Sequence, residues 1–139
     1  MLFVSATIAF HANSLQKNDY STNERHIYTQ VILNKGLGYN ATTGIFTAPV
    51  SGLYLFVKQT CGSPTRYFHT AFSLNNNDLT KSLLGIDGQY TCASSQTIAQ
   101  MSRGDQMWVK TVYTSNTGFF NSHNEGLPYF AGALINVKF

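Results

Sequence analysis

Residues 114–127 form a polar segment that also carries aromatic side chains, and this combination makes them the best candidate for a binding site. Phe119 and Phe120 are followed by Asn121, His123 and Glu125. An aromatic ring can stack on the apolar face of a sugar while neighbouring polar groups bond its hydroxyls. We therefore predict a loop that contacts glycans. The alternative is that both phenylalanines pack into the core.

Catalysis has little support in the sequence. The chain has six acidic residues, and His123-Asn124-Glu125 is the nearest approach of a histidine to a carboxylate. A nucleophile needs a base within hydrogen-bond reach, and a hydrolytic pair needs two carboxylates. A triplet in a polar loop is more typical of a solvated or ligand-contacting surface. We therefore predict no enzymatic activity and no catalytic residue.

Asp87 is a candidate calcium ligand in the turn-like segment 87–90. Calcium prefers six to eight oxygen ligands, most of them carboxylates and carbonyls. One carboxylate per chain could contribute only to a weak site shared between subunits. A hydrated turn aspartate is the simpler interpretation.

Arg103-Gly104-Asp105 spells an integrin-recognition tripeptide. That use requires an exposed, mobile loop. Here the tripeptide lies between two predicted strands, where Gly-Asp is typical of a turn. We interpret it as a structural turn.

β-Strands must position these loops, because apolar and polar residues alternate with period two along most of the chain and no helical period is sustained. Turn signals separate the strands, and the strongest is Asn75-Asn76-Asn77-Asp78. This pattern predicts an all-β sandwich or jelly roll. A short strand is expected before Pro49, and the longer strands are predicted at residues 4–11, 27–33, 53–60, 67–74, 79–86, 96–101, 107–113 and 129–139.

Length and composition limit the function classes. We predict one domain over residues 1–139. A net charge of +3 that is not clustered argues against nucleic-acid binding, and no run of 18 apolar residues predicts a membrane span. The first residues lack the basic start and cleavage site of a secretory signal. One interpretation is that Met1 begins a mature or excised domain. The alternative is an intracellular protein.

Cys61 and Cys92 are predicted not to bond to each other. Cys61 ends one predicted strand, and Cys92 follows the loop that ends the next. An up-and-down strand order would place them at opposite ends of the sandwich, about 25 Å apart. A disulfide needs Cα atoms within about 7 Å.

The spacing of residues 34–56 resembles the signature of the complement component 1q (C1q) globular head. The matching residues are Asn34, Tyr39, Phe46, Gly52, Tyr54 and Phe56. The chain departs from the signature at its two ends, where Tyr28 and Lys58 replace family aromatics. Residues 103–109 resemble the family's late turn and strand, and residues 129–134 resemble its last strand.

The resemblance covers residues 10–137 and implies a ten-stranded, tumour-necrosis-factor-like jelly roll that assembles as a trimer. It implies a secreted protein with a role in innate-immune pattern recognition or lectin-like binding. In some members calcium binds near the trimer apex, in the loop that corresponds to the one holding Asp87.

The last predicted strand is apolar on both faces, with Phe130 and Leu134 on one face. A sandwich core covers only one face of a strand. The other face carries Ala131, Ala133, Ile135 and Val137, and we therefore predict that it packs against a partner chain. The family resemblance implies that this assembly is a symmetric trimer. A covering loop from the same chain is the alternative.

The final strand of a jelly roll should run toward the base, where both termini lie, so the loops before it and around Asp87 are expected at the opposite end, the apex. Three copies would then present one ligand surface formed by Tyr90, Phe119, Asn121, His123 and Glu125. The predicted function is non-enzymatic binding of glycans or microbial surfaces by a secreted homotrimer. The alternatives are a signalling or adhesion ligand for a protein receptor, and a structural trimerisation module.

Overall fold

A computed structural model describes residues 7–62, 68–84, 91–114 and 127–137, and these residues form two antiparallel five-stranded sheets without a helix. The all-β, ten-stranded sandwich predicted from the sequence is confirmed. The strands are β1 (Ala9–Leu15), β2 (Tyr28–Lys35), β3 (Tyr39–Asn40), β4 (Ile45–Thr47), β5 (Gly52–Gly62), β6 (Phe68–Leu74), β7 (Asn77–Leu84), β8 (Thr91–Met101), β9 (Gln106–Thr114) and β10 (Tyr129–Val137).

The strand order shows that the chain crosses repeatedly between the two sheets. The first sheet has the order β2-β1-β10-β5-β8, and the second has the order β3-β4-β9-β6-β7. β5 and β8 are therefore neighbours, although β6 and β7 lie between them in sequence. Such connections are characteristic of Greek-key sandwiches, of which the jelly roll is one.

Aromatic rings from both sheets fill the core. The ring of Phe10 on β1 lies 4.9 Å from that of Phe46 on β4 and 4.7 Å from that of Phe130 on β10. Gly132 permits this approach, because a Cβ atom there would lie 2.6 Å from the ring of Phe56 and 2.7 Å from the ring of Phe10. The period-two pattern that predicted the strands therefore also selects the buried residues.

Cys61 and Cys92 form a disulfide, so the prediction that they are unbonded is wrong. They lie directly opposite each other on β5 and β8, with their Cα atoms 4.0 Å apart. The prediction counted one strand between them, whereas the chain forms the hairpin β6–β7. Two strand crossings return the chain to the end of the sandwich from which it started, and this brings the cysteines together.

The strand ends define a base and an apex. At the base, β10 ends opposite the start of β5. At the other end, the apex, β5 ends opposite the start of β8, and β6 begins opposite the ends of β7 and β9. The strand ends that flank segments 63–67, 85–90 and 115–126 therefore all lie at the apex.

Candidate functional site

The residues predicted to bind a ligand lie outside the described part of the chain, and so does the candidate calcium ligand Asp87. The structure describes the strand ends on either side of them, which belong to β7, β8, β9 and β10. The ligand site and the calcium site therefore stay predictions, and the residues concerned are Tyr90, Phe119, Asn121, His123 and Glu125.

The outer face of the first sheet carries an apolar row that crosses four strands. Ala133 on β10 pairs with Ala9 on β1 and with Leu55 on β5, and Leu55 pairs with Ile98 on β8. Directly paired residues project from the same face of a sheet. Ile98 is 60% exposed and Leu55 is 36% exposed. This continuous apolar strip, which we call the apolar row, lies open on the isolated chain.

A second row lies two residues closer to the apex and is polar at two of its positions, His11 and Gln96. Ala131 pairs with His11 and with Val57, while Leu33 and Gln96 extend the row over β2 and β8. The apolar character predicted for the outer face of β10 therefore continues over its neighbours. The alternation of Leu53, Leu55 and Val57 with buried residues on β5 was the signal in the sequence for this wider surface.

A bulge interrupts the predicted alternation near the end of β10. After Leu134 the register shifts, so Asn136 pairs with Leu53. Ile135 and Val137 are 51% and 42% exposed. Ala131 and Ala133 thus share one face as predicted, whereas the simple period-two argument no longer assigns Ile135 and Val137 to that face.

A hollow of about 470 Å³ opens on the same outer face at its apical side. The amide nitrogen Nε2 of Gln59 donates to the carbonyl oxygen of Leu127 at 2.8 Å, and the ring of His11 meets the ring of Tyr129 edge-on at 5.7 Å. An apolar floor with a polar rim suits an amphipathic side chain or a small ligand. The lining residues are His11, Asn13, Gln59, Leu127, Tyr129 and Ala131.

Lys58 lies inside the sandwich, only 1% exposed. Its Nζ atom donates to the hydroxyl oxygens of Thr70 at 2.9 Å and Ser82 at 2.7 Å, and lies 5.2 Å from the centre of the Phe72 ring. Burial lowers the pKa of Lys58 to about 8. From the sequence, Lys58 was notable only because the C1q signature has an aromatic residue at this position. The sequence contained no sign of the hydroxyl partners, because these come from β6 and β7.

His26 is a second buried titratable group. Its Nε2 atom lies 2.8 Å from the hydroxyl oxygen of Thr111, and its ring packs against Tyr20 at 4.4 Å. Burial, with a smaller contribution from the charge of Lys58, lowers the pKa of His26 to about 3. The imidazole is therefore neutral in the folded protein at physiological pH, which makes it a structural group.

The Arg103-Gly104-Asp105 segment forms the predicted turn between β8 and β9, at the base. Gly104 has φ +92°, and the amide of Asp105 donates to the carbonyl of Ser102 at 2.9 Å. A carboxylate oxygen of Asp105 accepts a hydrogen bond from the amide of Ser102 at 2.8 Å. These contacts close the turn, so its sequence has a structural explanation.

Neither a metal site nor a membrane-spanning helix is found within the described residues. No group of three or more His, Cys, Asp or Glu side chains there could hold a metal ion. No helix in that same part is long and apolar enough to cross a membrane.

Comparisons of the sequence with known proteins agree with this architecture. Residues 9–135 match the family model for the C1q domain. The chain is 28% identical over 110 residues to the human complement C1q tumor necrosis factor-related protein 2, a match that covers 78% of this chain and 36% of that protein. It is 25% identical over 130 residues to the human complement C1q tumor necrosis factor-related protein 3, covering 92% of this chain and 51% of the relative. The chain thus spans about a third to a half of the length of these two relatives.

Solved structures show the same fold. The globular domain of zebrafish complement 1qA protein matches with a TM-score of 0.75 at 14% identity, covering 94% of this chain and 99% of that one. Murine APRIL at pH 5.0 matches with a TM-score of 0.72 at 17% identity, covering 93% and 99%. The two sheets are therefore those of the tumour-necrosis-factor-like jelly roll. Since the family model spans nearly the whole chain, the protein belongs to the C1q domain family.

Proposed function

We propose that this chain is a non-enzymatic recognition module that is secreted, assembles as a homotrimer and binds glycans or microbial surfaces at its apex. One observation carries the proposal: the sandwich separates an exposed apolar row on one sheet from three segments whose flanking strands end at the apex. The apolar row suits contact between subunits, and such contact on the first sheet leaves the apical end of each chain for a ligand.

The trimer covers the apolar row. Large exposed apolar patches on a soluble protein mark interaction sites, and a symmetric oligomer buries such a patch in every copy. The hollow beside His11 and Tyr129 continues this face, so it suits a side chain from the neighbouring copy. The chain belongs to the C1q domain family, in which assembly as a trimer is typical.

Replacing Ala133 with aspartate tests the trimer. An unpaired carboxylate buried in an interface costs several kcal/mol, so Ala133→Asp should sediment as a monomer while the unmutated protein sediments as a trimer. Lys81→Glu, at an exposed position on the second sheet, is the matched charge control and should stay trimeric. A monomeric unmutated protein would contradict the proposal.

Secretion is supported by the disulfide between Cys61 and Cys92. Structural disulfides form and persist in oxidising compartments such as the extracellular space. Protein recovered from the medium of expressing cells should show one disulfide and no free thiol by mass spectrometry after alkylation. Recovery only from the reducing cytosol, with two alkylated cysteines, would contradict this part of the proposal.

A glycan array on the trimer tests ligand recognition. The triple variant Phe119→Ala, Asn121→Ala and His123→Ala should lose binding while remaining trimeric. Three weak contacts acting together gain about 10²–10⁴ in avidity when the ligand spans them, so a monomeric variant should also bind poorly. Arg103→Ala, at the base, is the control and should bind normally. Unchanged binding by the triple variant would move the site away from residues 114–127.

A protein receptor is the second candidate ligand, because the chain resembles proteins named C1q tumor necrosis factor-related proteins. Saturable binding of the trimer to one cell-surface protein, with no signal on the glycan array, would favour this candidate. Calcium titration with Asp87→Asn as control tests whether either ligand needs a metal.

A further inference from the structure

The ammonium group of Lys58 has more donors than the described residues satisfy. It carries three protons, and two of them have acceptors, the hydroxyl oxygens of Thr70 and Ser82. The ion pairs within the described residues are Lys17–Glu24 and Lys110–Asp78, so no carboxylate there neutralises Lys58. A buried charge without a partner is costly, so a group of opposite charge near Lys58 would stabilise the fold.

Two buried hydroxyl groups next to Lys58 also lack hydrogen-bond partners within the described residues. They are Thr60 Oγ1 and Ser95 Oγ. Ser95 is paired with Lys58 across β5 and β8, so both side chains project from the same face with Cβ atoms about 5 Å apart. Thr60 follows Lys58 by two residues on β5, and its side chain therefore also projects into the sandwich. One side of Lys58 is thus lined by O–H donors that no described residue satisfies.

These groups lie close to β7 and β8, which are edge strands of the two sheets. The hydroxyl of Thr80 on β7 donates to that of Thr97 on β8 at 2.9 Å, which ties the two edge strands together. Ser82 and Ser95 lie two residues further toward the apex on the same two strands. Both residues are partly exposed, so the cluster lies near the protein surface, although the Ser95 hydroxyl itself is buried.

An ammonium proton and two buried hydroxyls on neighbouring inward-facing positions of β5 and β8 can all donate to one acceptor, and the uncompensated ammonium charge favours an acceptor that is negatively charged. We propose that Lys58, Thr60 and Ser95 form a binding site for a small monovalent anion with the chemistry of chloride. One negative charge balances the single ammonium charge, whereas a divalent anion would leave an excess negative charge inside the protein. The cluster lies within the sandwich and is separate from the apolar row on the outer face.

Thermal unfolding in different sodium salts at equal ionic strength tests the site. Chloride and bromide should raise Tm above its value in gluconate, an anion too large for the cluster, by about 2–4 °C and in a saturable manner. Lys58→Met should abolish the difference, and Thr60→Val should reduce it. Lys81→Met removes an exposed lysine from β7 and should retain the full difference.

Three outcomes would overturn the proposal. The first is an equal Tm in chloride and gluconate for the unmutated protein. The second is a chloride effect that persists in Lys58→Met, because it would then be a general salt effect. The third is a bromide-soaked crystal without an anomalous peak beside the Lys58 ammonium. In the first case, a lower Tm of Asp87→Asn than of the unmutated protein would assign the counter-charge to Asp87 instead of an anion.

Discussion

Replacing Lys58 with methionine should stabilise the protein at neutral pH. Lys58 is 1% exposed, and burial lowers its pKa from 10.5 to about 8. One pKa unit corresponds to about 1.4 kcal/mol, so holding this ammonium group charged in the fold costs about 3 kcal/mol. Methionine has a similar length, and its sulfur packs well against an aromatic ring such as Phe72. The hydroxyls of Thr70 and Ser82 lie 3.2 Å apart and can bond each other in the variant.

The effect has a defined pH dependence. Between pH 8 and 10.5 the unfolded chain binds more protons at Lys58 than the folded chain does, so the stability of the unmutated protein rises with pH through this window. Below pH 8 the full penalty is present. The advantage of Lys58→Met should therefore be about 3 kcal/mol at pH 7 and should shrink toward zero near pH 10.5.

Urea unfolding at pH 7 and pH 10, in a chloride-free buffer and at one protein concentration, measures this difference. The fixed concentration matters because oligomer stability depends on it. Lys81→Met changes an exposed lysine, so its effect should stay within about 0.5 kcal/mol at both pH values. A methionine variant less stable than the unmutated protein at pH 7, or an advantage that does not shrink by pH 10, would refute the desolvation argument.

Three further predictions concern stability. The double variant Cys61→Ala, Cys92→Ala should lower the free energy of unfolding by about 3–4 kcal/mol, because the disulfide joins residues 31 apart in sequence. A reductant should lower the Tm of the unmutated protein but not that of the double variant. Between pH 6.5 and 3 the unfolded chain takes up a proton at His26 that the folded chain does not, so the free energy of unfolding falls by about 1.4 kcal/mol per pH unit. His26→Gln should therefore reduce this slope in acid denaturation. An unchanged slope would show that His26 does not contribute to it. Gly132→Ala should cost about 2–3 kcal/mol by overpacking. Gly104→Ala should cost less, about 1–2 kcal/mol, because a Cβ at Gly104 meets nothing within 4 Å and only the strain of its positive φ remains. Calorimetry that gives the reverse order would contradict the packing argument.

The strands themselves follow from the sequence. Alternation predicted the strands that became β1, β5 and β10, and Phe10, Phe56 and Phe130 on these strands are fully or almost fully buried. The strands can be predicted in this way because side-chain alternation depends only on the local backbone of each segment, wherever the segment lies in the fold. The Arg103-Gly104-Asp105 turn was predictable for the same reason, since Gly104 takes the positive φ that the reversal needs.

Which strands pair with each other could not be predicted from the alternation. The error at Cys61 and Cys92 came from counting one crossing where the chain makes two, and a single miscounted reversal exchanges the base for the apex. The bulge after Leu134 has a similar effect on a smaller scale, because one extra residue moves every later side chain of β10 out of step.

By itself, then, the sequence determined the class of fold, the family signature between residues 34 and 56, and the period-two alternation of most strands. Only the tertiary structure decided that Cys61 meets Cys92, that the apolar row runs from Ala9 to Ile98, and that Lys58 is enclosed by hydroxyls from other strands. The physical reason is the range of the interactions. Backbone preference and alternation act between residues close in sequence, whereas these contacts join strands whose adjacency depends on how the whole chain packs.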